Sequence, residues 1–328
     1  ILVCRTERPL EPGIKDKIAL FCNVPNKCVM QNLDVETLYE APLSMEKEHL
    51  ADVACECLHL ECPEPDMKEW QTMVDTLKNL QKDVTVALVG KYTSLHDAYI
   101  SVVESLKHGG LAHKSNVTIK WISSEELNDD NAEELLGDVS GGIVPGGCGD
   151  RGTDGMISAI KYARENNVPF LGLCLGMQLS IVEFARHVCG FNDAHSIELD
   201  PQTTHPVIHL MADQDGVEDI GGTLRLGAYP CVLDKDSLAY KVYGEENISE
   251  RHRHRYEVNN YYREDLEKNG MLLSGLSPDG RIVEMCEIPS HPWFIATQAH
   301  PEFKSRPNRP HPLFKGFIGA ALDYQENK

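Results

Sequence analysis

With 328 residues, 41% of them hydrophobic and 25% charged, the chain is long enough for about two globular domains, and its composition excludes a disordered or fibrous protein. A formal net charge of −20 argues against a sequence-independent grip on nucleic acid or on an anionic membrane, because both need clustered Lys and Arg. The one dense basic run, "ERHRHRY" at 250–256, is too short for a polynucleotide track and needs a local explanation.

The chain opens on "ILVCRTERPL", which lacks an initiator Met and reads as the middle of a strand, as though it were a piece of something longer. "KIALFCNV" (17–24) reads as a second strand, "LDVETLYEAPLSMEKEHLADVACECLHL" (33–60) as helical, and "CPEPDMKEWQ" as a linker. On a continuous helix Cys55, His59 and Cys62 would share a face, as zinc donors might be arranged, but no fourth ligand is evident. These are read as incidental thiols, and no metal site is expected. Eleven cysteines, an odd number at no framework spacing, imply reduced thiols and a cytoplasmic protein. No apolar stretch approaches the ~18 residues of a membrane helix.

From residue 84 strand and helix signals alternate. "VTVALVG" (84–90), "VTIKWIS" (117–123), "GGIVPGG" (141–147) and "PFLGLCL" (169–175) read as strands. "SLHDAYISVVESLKHGGLAHK", "TDGMISAIKYARENN" and "MQLSIVEFARHVCG" between and after them carry helical spacing. This rhythm predicts an α/β fold with a mostly parallel central sheet flanked by helices, ligands lying beyond the carboxyl ends of the strands. After residue 200 the shorter runs "HPVIHLMA", "GGTLRLGAYPCVL", "RIVEMCEIP" and "WFIATQAHPE" predict antiparallel additions, and "HPLFKGFIGAALDYQENK" a closing helix.

Three strand ends carry chemistry. In "GLCLG" the Gly-x-Cys-x-Gly pattern at a strand-to-helix junction is the cysteine form of a nucleophile elbow, and a helix starting near Leu175 would aim amide groups at the Cys174 sulfur. By itself Cys174 divides evenly between a nucleophile and a buried thiol. In "QAHPEF" His300 and Glu302 stand two residues apart after an apolar strand, so an extended chain would bring the carboxylate to the imidazole and fix its tautomer. In "VPGGCG" (144–149) consecutive glycines can aim amides into a cavity, as an oxyanion hole requires, and no Walker-type Lys follows.

Taken in order, "PGG", "GLCLGMQ" and "HPEF" resemble the glycine loop, nucleophile elbow and His-Glu pair of the triad (class I) glutamine amidotransferases. With "NVTIKWI", "GGTLRLG", "ERHRHRYEVNN" and "KIALFCNVP", the whole chain is similar to the CTP synthase family. The resemblance implies that Cys174 attacks the glutamine amide, His300 moves protons, and Glu302 orients His300. It makes Gly147 and Leu175 the oxyanion hole, and Gly147, Leu175, Gly176, Met177, Gln178, Glu198 and Arg255 the glutamine site. An Arg for the substrate carboxylate and a Glu for its ammonium fit that assignment. One departure is Cys148, where the family commonly has an aromatic residue after the second glycine; a disulfide with the nucleophile is a minor expectation there.

The same resemblance divides the chain into the tail of an incomplete α/β synthetase domain (1–62), a linker (63–83) and a glutaminase domain (84–328). It implies nucleotide contacts at Lys17, Asp34, Val35 and Arg151. For the full-length protein it implies ATP and Mg for amination of UTP, GTP as an allosteric activator with "GGTLRLG" involved, and a tetramer; the glutaminase step itself needs no cofactor. The P-loop and magnesium carboxylates of a synthetase do not occur in these residues. The rivals are an amidotransferase or γ-glutamyl hydrolase relative serving another acceptor, and a non-catalytic nucleotide-binding or filament-forming domain. The first is disfavoured by residues 1–62, the second by Cys174, His300 and Glu302 standing together.

Overall fold

A computed structural model describes residues 1–210 and 225–328, which fold as two units, Ile1–Leu80 and Gln81–Lys328. The first unit holds β1 (Leu2–Thr6), α1 (Pro12–Cys22), β2 (Val29–Leu33), α2 (Ala41–Lys47), α3 (Leu50–Leu58) and α4 (Lys68–Lys78), with β1 and β2 paired in parallel. Here the expected strand "KIALFCNV" is corrected: residues 17–22 lie in α1. Pro12 at the first helical positions pre-sets the backbone for a helix, and Asn23, left-handed at φ 54°, closes it with N–H bonds to Ala19 and Leu20. A five-residue apolar run (18–22) cannot by itself distinguish strand from helix, and Leu20 and Phe21 are 78% and 86% exposed, so hydrophobicity there does not report a buried strand.

The helical reading of 33–60 is likewise broken in two. Leu33 ends β2, and His49 turns left-handed (φ 60°) between α2 and α3. Helix α3 stops at Leu58, with His59 left-handed (φ 55°), so Cys62 lies off the helix and no shared Cys55–His59–Cys62 face forms. Cys28, buried beneath this helix, approaches the Cys57 sulfur at 3.8 Å. Residues 63–83 contain α4 and the first residues of the next strand.

The second unit continues with β3 (Lys82–Gly90), α5 (Ile100–Ala112), β4 (Ser115–Ser123), α6 (Ala132–Leu136), β5 (Gly141–Val144), α7 (Thr153–Glu165), β6 (Phe170–Leu173) and α8 (Leu175–His187). Then come β7 (His195–Ser196), β8 (Pro206–Leu210), β9 (Arg225–Leu233), α9 (Leu238–Tyr243), β10 (Asn247–His254), β11 (Tyr256–Val258) and α10 (Arg263–Lys268). The chain ends in β12 (Leu272–Leu276), β13 (Val283–Glu287), β14 (Phe294–Thr297) and α11 (Pro312–Asn327). Among the described residues nine strands form one sheet in the order β10-β9-β12-β13-β14-β6-β5-β3-β4. The segment from β14 to β4 is parallel and the rest antiparallel, as the sequence pattern predicts. A small sheet, β11-β8-β7, stands apart.

Alternation along β3 shows the layering. Val84, Val86 and Leu88 join the core under α5 and α11, while Ala87 and Val89 join the core under α7 and α8. Helix α8 is buried without a break from Leu175 to Ala185, which holds the residue before it in a solid frame.

Candidate active site

Parallel pairing brings the three chemical motifs together. Strands β14, β6 and β5 are consecutive in the sheet, with Thr297 opposite Leu173 and Val144 opposite Gly172. Residues just past those positions, His300, Cys174 and the 145–149 loop, therefore emerge side by side at one sheet edge, where α/β folds place their ligands.

Cys174 sits between β6 and α8 with φ 50° and ψ −100°, a backbone conformation that L-residues avoid, and it is 6% exposed. Such a strained junction persists only when its surroundings hold it. Its amide donates to the Thr297 carbonyl at 2.7 Å, and its carbonyl accepts from the Met177 and Gln178 amides at 3.1 and 3.2 Å. The flanking glycines are required by close approach: a Cβ on Gly172 would lie 2.9 Å from the Ala296 side chain, and one on Gly176 would lie 2.1 Å from the Val144 carbonyl oxygen. Across the cleft, a Cβ on Gly146 would stand 2.8 Å from the His300 ring and 3.6 Å from the Cys174 side chain. Gly147 packs against the Leu175 side chain, so the two expected oxyanion donors are neighbours.

The His300 Nδ1–H donates to Glu302 Oε1 at 2.7 Å, which leaves Nε2 as the ring nitrogen open to a second partner, and Cys174 is close enough to act on the ring. Burial opposes charging the ring, yet the hydrogen bonds and charges of Cys174 and Glu302 outweigh it and push His300 from 6.5 up to about 10. A group raised in the folded state contributes stability in full below pH 6.5, and the contribution is lost as the pH rises through about 10. A ¹⁵N NMR titration is expected to show His300 protonated through neutral pH, while burial keeps His252 neutral down to about 3. Glu302→Gln is expected to lower the His300 midpoint; an unchanged midpoint would show that the carboxylate does not hold the imidazolium.

Other expected residues are placed with different roles. Gln178 is 4% exposed, and its side-chain N–H₂ donates to the Tyr256 carbonyl at 3.1 Å and to Gln298 Oε1 at 3.2 Å, leaving its own oxygen as the group still able to accept. Burial raises the Glu198 carboxyl, against the opposing pull of the Lys91 and Arg255 charges. Arg255 lies between β10 and β11 with a buried Nε for which no hydrogen-bond acceptor is found among the described residues. The exposed Cys148 lies in the loop that Lys91 secures, through Nζ bonds to the Cys148 and Gly149 carbonyls. Arg151 donates to Glu125 at 2.7 Å and lies over the Tyr92 ring. In the first unit Lys17 is exposed on α1, and Asp34 pairs with Arg5 at 3.4 Å. Of "GGTLRLG", residues 221–224 lie outside the described residues.

Sequence reasoning missed several neighbours of the site. Lys91 was one; a Lys just past a strand end was the available signal. Gln298, fully buried and donating to the Cys174 sulfur at 3.6 Å, was another. The basic run proves to be an alternating strand: in β10 Glu250, His252 and His254 point inward and Arg251 and Arg253 outward. Behind it Arg225 bridges the buried Glu257 and Glu284 at 3.2 and 2.7 Å. A cavity of about 740 Å³ lined by Trp293, Lys315, Asp323 and Tyr324 lies along α11 and includes none of the triad.

Residues 94–320 match the glutamine amidotransferase class-I family, and residues 1–60 match the CTP synthase N-terminus. The glutaminase domain of Trypanosoma brucei CTPS, solved with bound acivicin, superposes with a TM-score of 0.70 at 39% identity, over 73% of this chain and 94% of that one. The chain belongs to the CTP synthase family and carries its class-I glutamine amidotransferase domain. Relatives in that family include the CTP synthases of Clostridium beijerinckii, 56% identical, and Bacillus subtilis, 53% identical, each matched over the whole of this chain. The chain spans 61% of the length of these relatives. Among the described residues no helix is long and apolar enough to cross a membrane.

Proposed function

We propose that this chain hydrolyses the side-chain amide of L-glutamine. The observation that carries the reading is the His300 ring held by Glu302 at 2.7 Å, with Gly146 packed against both that ring and the Cys174 side chain. The Cys174 sulfur attacks the amide carbon, and the amide oxygen takes the negative charge beside the Gly147 and Leu175 N–H groups. His300 delivers a proton to the departing ammonia, leaving a thioester that water cleaves to glutamate and free thiol. Gly147, Leu175, Gly176, Met177, Gln178, Glu198 and Arg255 form the substrate pocket, Glu198 facing the α-ammonium and Arg255 the α-carboxylate.

The ammonia serves ATP-dependent amination of UTP to CTP in the complete cytoplasmic protein, a GTP-stimulated tetramer. In this arrangement residues 1–62 close the synthetase domain, 63–83 connect, and 84–328 form the glutaminase, with Lys17, Asp34, Val35 and Arg151 turned to nucleotides. No cluster of three or more His, Cys, Asp or Glu side chains suited to a metal occurs among the described residues. Ammonia release from glutamine tests the reading. Arg255→Ala and Glu198→Gln are expected to raise KM by about tenfold or more with smaller effects on kcat, since a hydrogen bond to a charged group is worth about 1.5–3 kcal/mol. Unchanged KM in both variants would overturn the pocket assignment.

A further inference from the structure

We propose that Gln298 is a working part of the nucleophile, a fixed N–H donor that holds the Cys174 sulfur as thiolate; this rests on the reading of Cys174 as the attacking group. The direction of its amide follows from the backbone. The Tyr256 carbonyl can only accept, so the Gln178 side chain must turn its N–H₂ toward it, at 3.1 Å. That same N–H₂ reaches Gln298 at 3.2 Å, which must answer with its oxygen, and the Gln298 N–H₂ is thereby left facing the sulfur at 3.6 Å. A carbonyl on β11 thus sets the polarity of a donor two side chains away.

The donor is also held in place. Gln298 is fully buried, its own amide donates to the Glu284 carbonyl at 2.9 Å, and the preceding Thr297 accepts the Cys174 amide at 2.7 Å. Sulfur and donor therefore hang at the ends of adjacent parallel strands, joined by a backbone bond from Cys174 itself to the residue before Gln298. An N–H aimed at sulfur favours the anion over the neutral thiol, because the bond strengthens with charge on the acceptor. Gln298 makes no contact with His300 or Glu302 among its hydrogen bonds, so it stabilises the thiolate independently of proton transfer to the imidazole.

Alkylation of Cys174 by iodoacetamide, followed across pH by peptide mass spectrometry to separate it from the other ten cysteines, reads the thiolate directly. Gln298→Met keeps the volume and removes the donor. Gln298→Glu keeps an oxygen for Gln178 and replaces the donor with an acceptor. The alkylation midpoint is expected to rise by about one pH unit in the Met variant and by more in the Glu variant, leaving about tenfold less thiolate below both midpoints. A purely structural residue would lower melting temperature and leave the midpoint alone. A folded variant of either kind with the parental midpoint overturns the proposal. The readout does not need turnover: a raised midpoint with an inactive parent supports Gln298 while sinking the glutaminase reading, and a parental midpoint with an active parent does the reverse.

Discussion

Alanine at position 174 is expected to reduce ammonia release from glutamine by at least about 10³-fold, with the fold intact and glutamine still bound. The size of the loss follows from the site's geometry. Removing the sulfur deletes the bond-forming atom, and His300, Glu302 and the glycine loop have no second nucleophile to serve, since the nearby Gln298 and Gln178 amides are not nucleophilic. What remains is the oxyanion donors acting on bound water, which accounts for residual catalysis in comparable sites. Binding should survive because the expected substrate contacts are backbone groups of 147 and 175–177 together with Gln178, Glu198 and Arg255, none of which passes through the sulfur. The side chain is also nearly enclosed, so alanine leaves a small space and little strain. The measurement is coupled detection of ammonia beside equilibrium glutamine binding. Turnover within tenfold of the parent would remove Cys174 from the mechanism.

Alanine at Gly176 is expected to destabilise the second unit by about 3 kcal/mol or more, a fall of roughly 6–12 °C in Tm, and to impair hydrolysis as well. The added methyl would lie 2.1 Å from the Val144 carbonyl oxygen and 3.0 Å from its carbon, both backbone atoms of a central strand that cannot swing aside. Relief requires α8 to shift away from β5, and that shift moves Cys174 and the Leu175 amide away from the glycine loop. Gly142→Ala on the same strand is the control: its methyl would meet nothing closer than 3.9 Å, so a loss within about 1 kcal/mol is expected. Equal thermal shifts in the two variants would show that the close approach at Gly176 is not what demands glycine.

Legibility in the sequence followed the range of the signal. Alternating elements from residue 84 onward were readable because their apolar periodicity is local, and the elbow at Cys174 was readable because glycine, cysteine and glycine fall within five residues. Residues 17–22 were misread because the five-residue apolar run within them has no period long enough to separate helix from strand, and there the deciding signals were Pro12 before it and Asn23 after it. Gln178 was assigned to substrate from its place in the motif, yet half of its hydrogen-bonding capacity is spent on Tyr256 and Gln298, residues far away in the chain. Nothing in the sequence could mark Gln298, since a lone Gln is chemically ordinary until a neighbouring strand puts a sulfur beside it, and Lys91 carried only the weak signal of its place just past a strand end.

The amino-acid sequence alone determined which chemical groups end each strand: a thiol after β6, an imidazole and carboxylate after β14, glycines after β5. It did so because chemistry and periodicity are properties of a few consecutive residues. Only the tertiary structure decided that these three strands lie next to one another, although β14 comes more than a hundred residues after β6. Strand order is set by which apolar faces pack best under α7, α8, α5 and α11, a sum over distant contacts that no local pattern contains. That adjacency sets the buried Cys174 thiol beside the His300 imidazole, the glycine loop and the Gln298 amide.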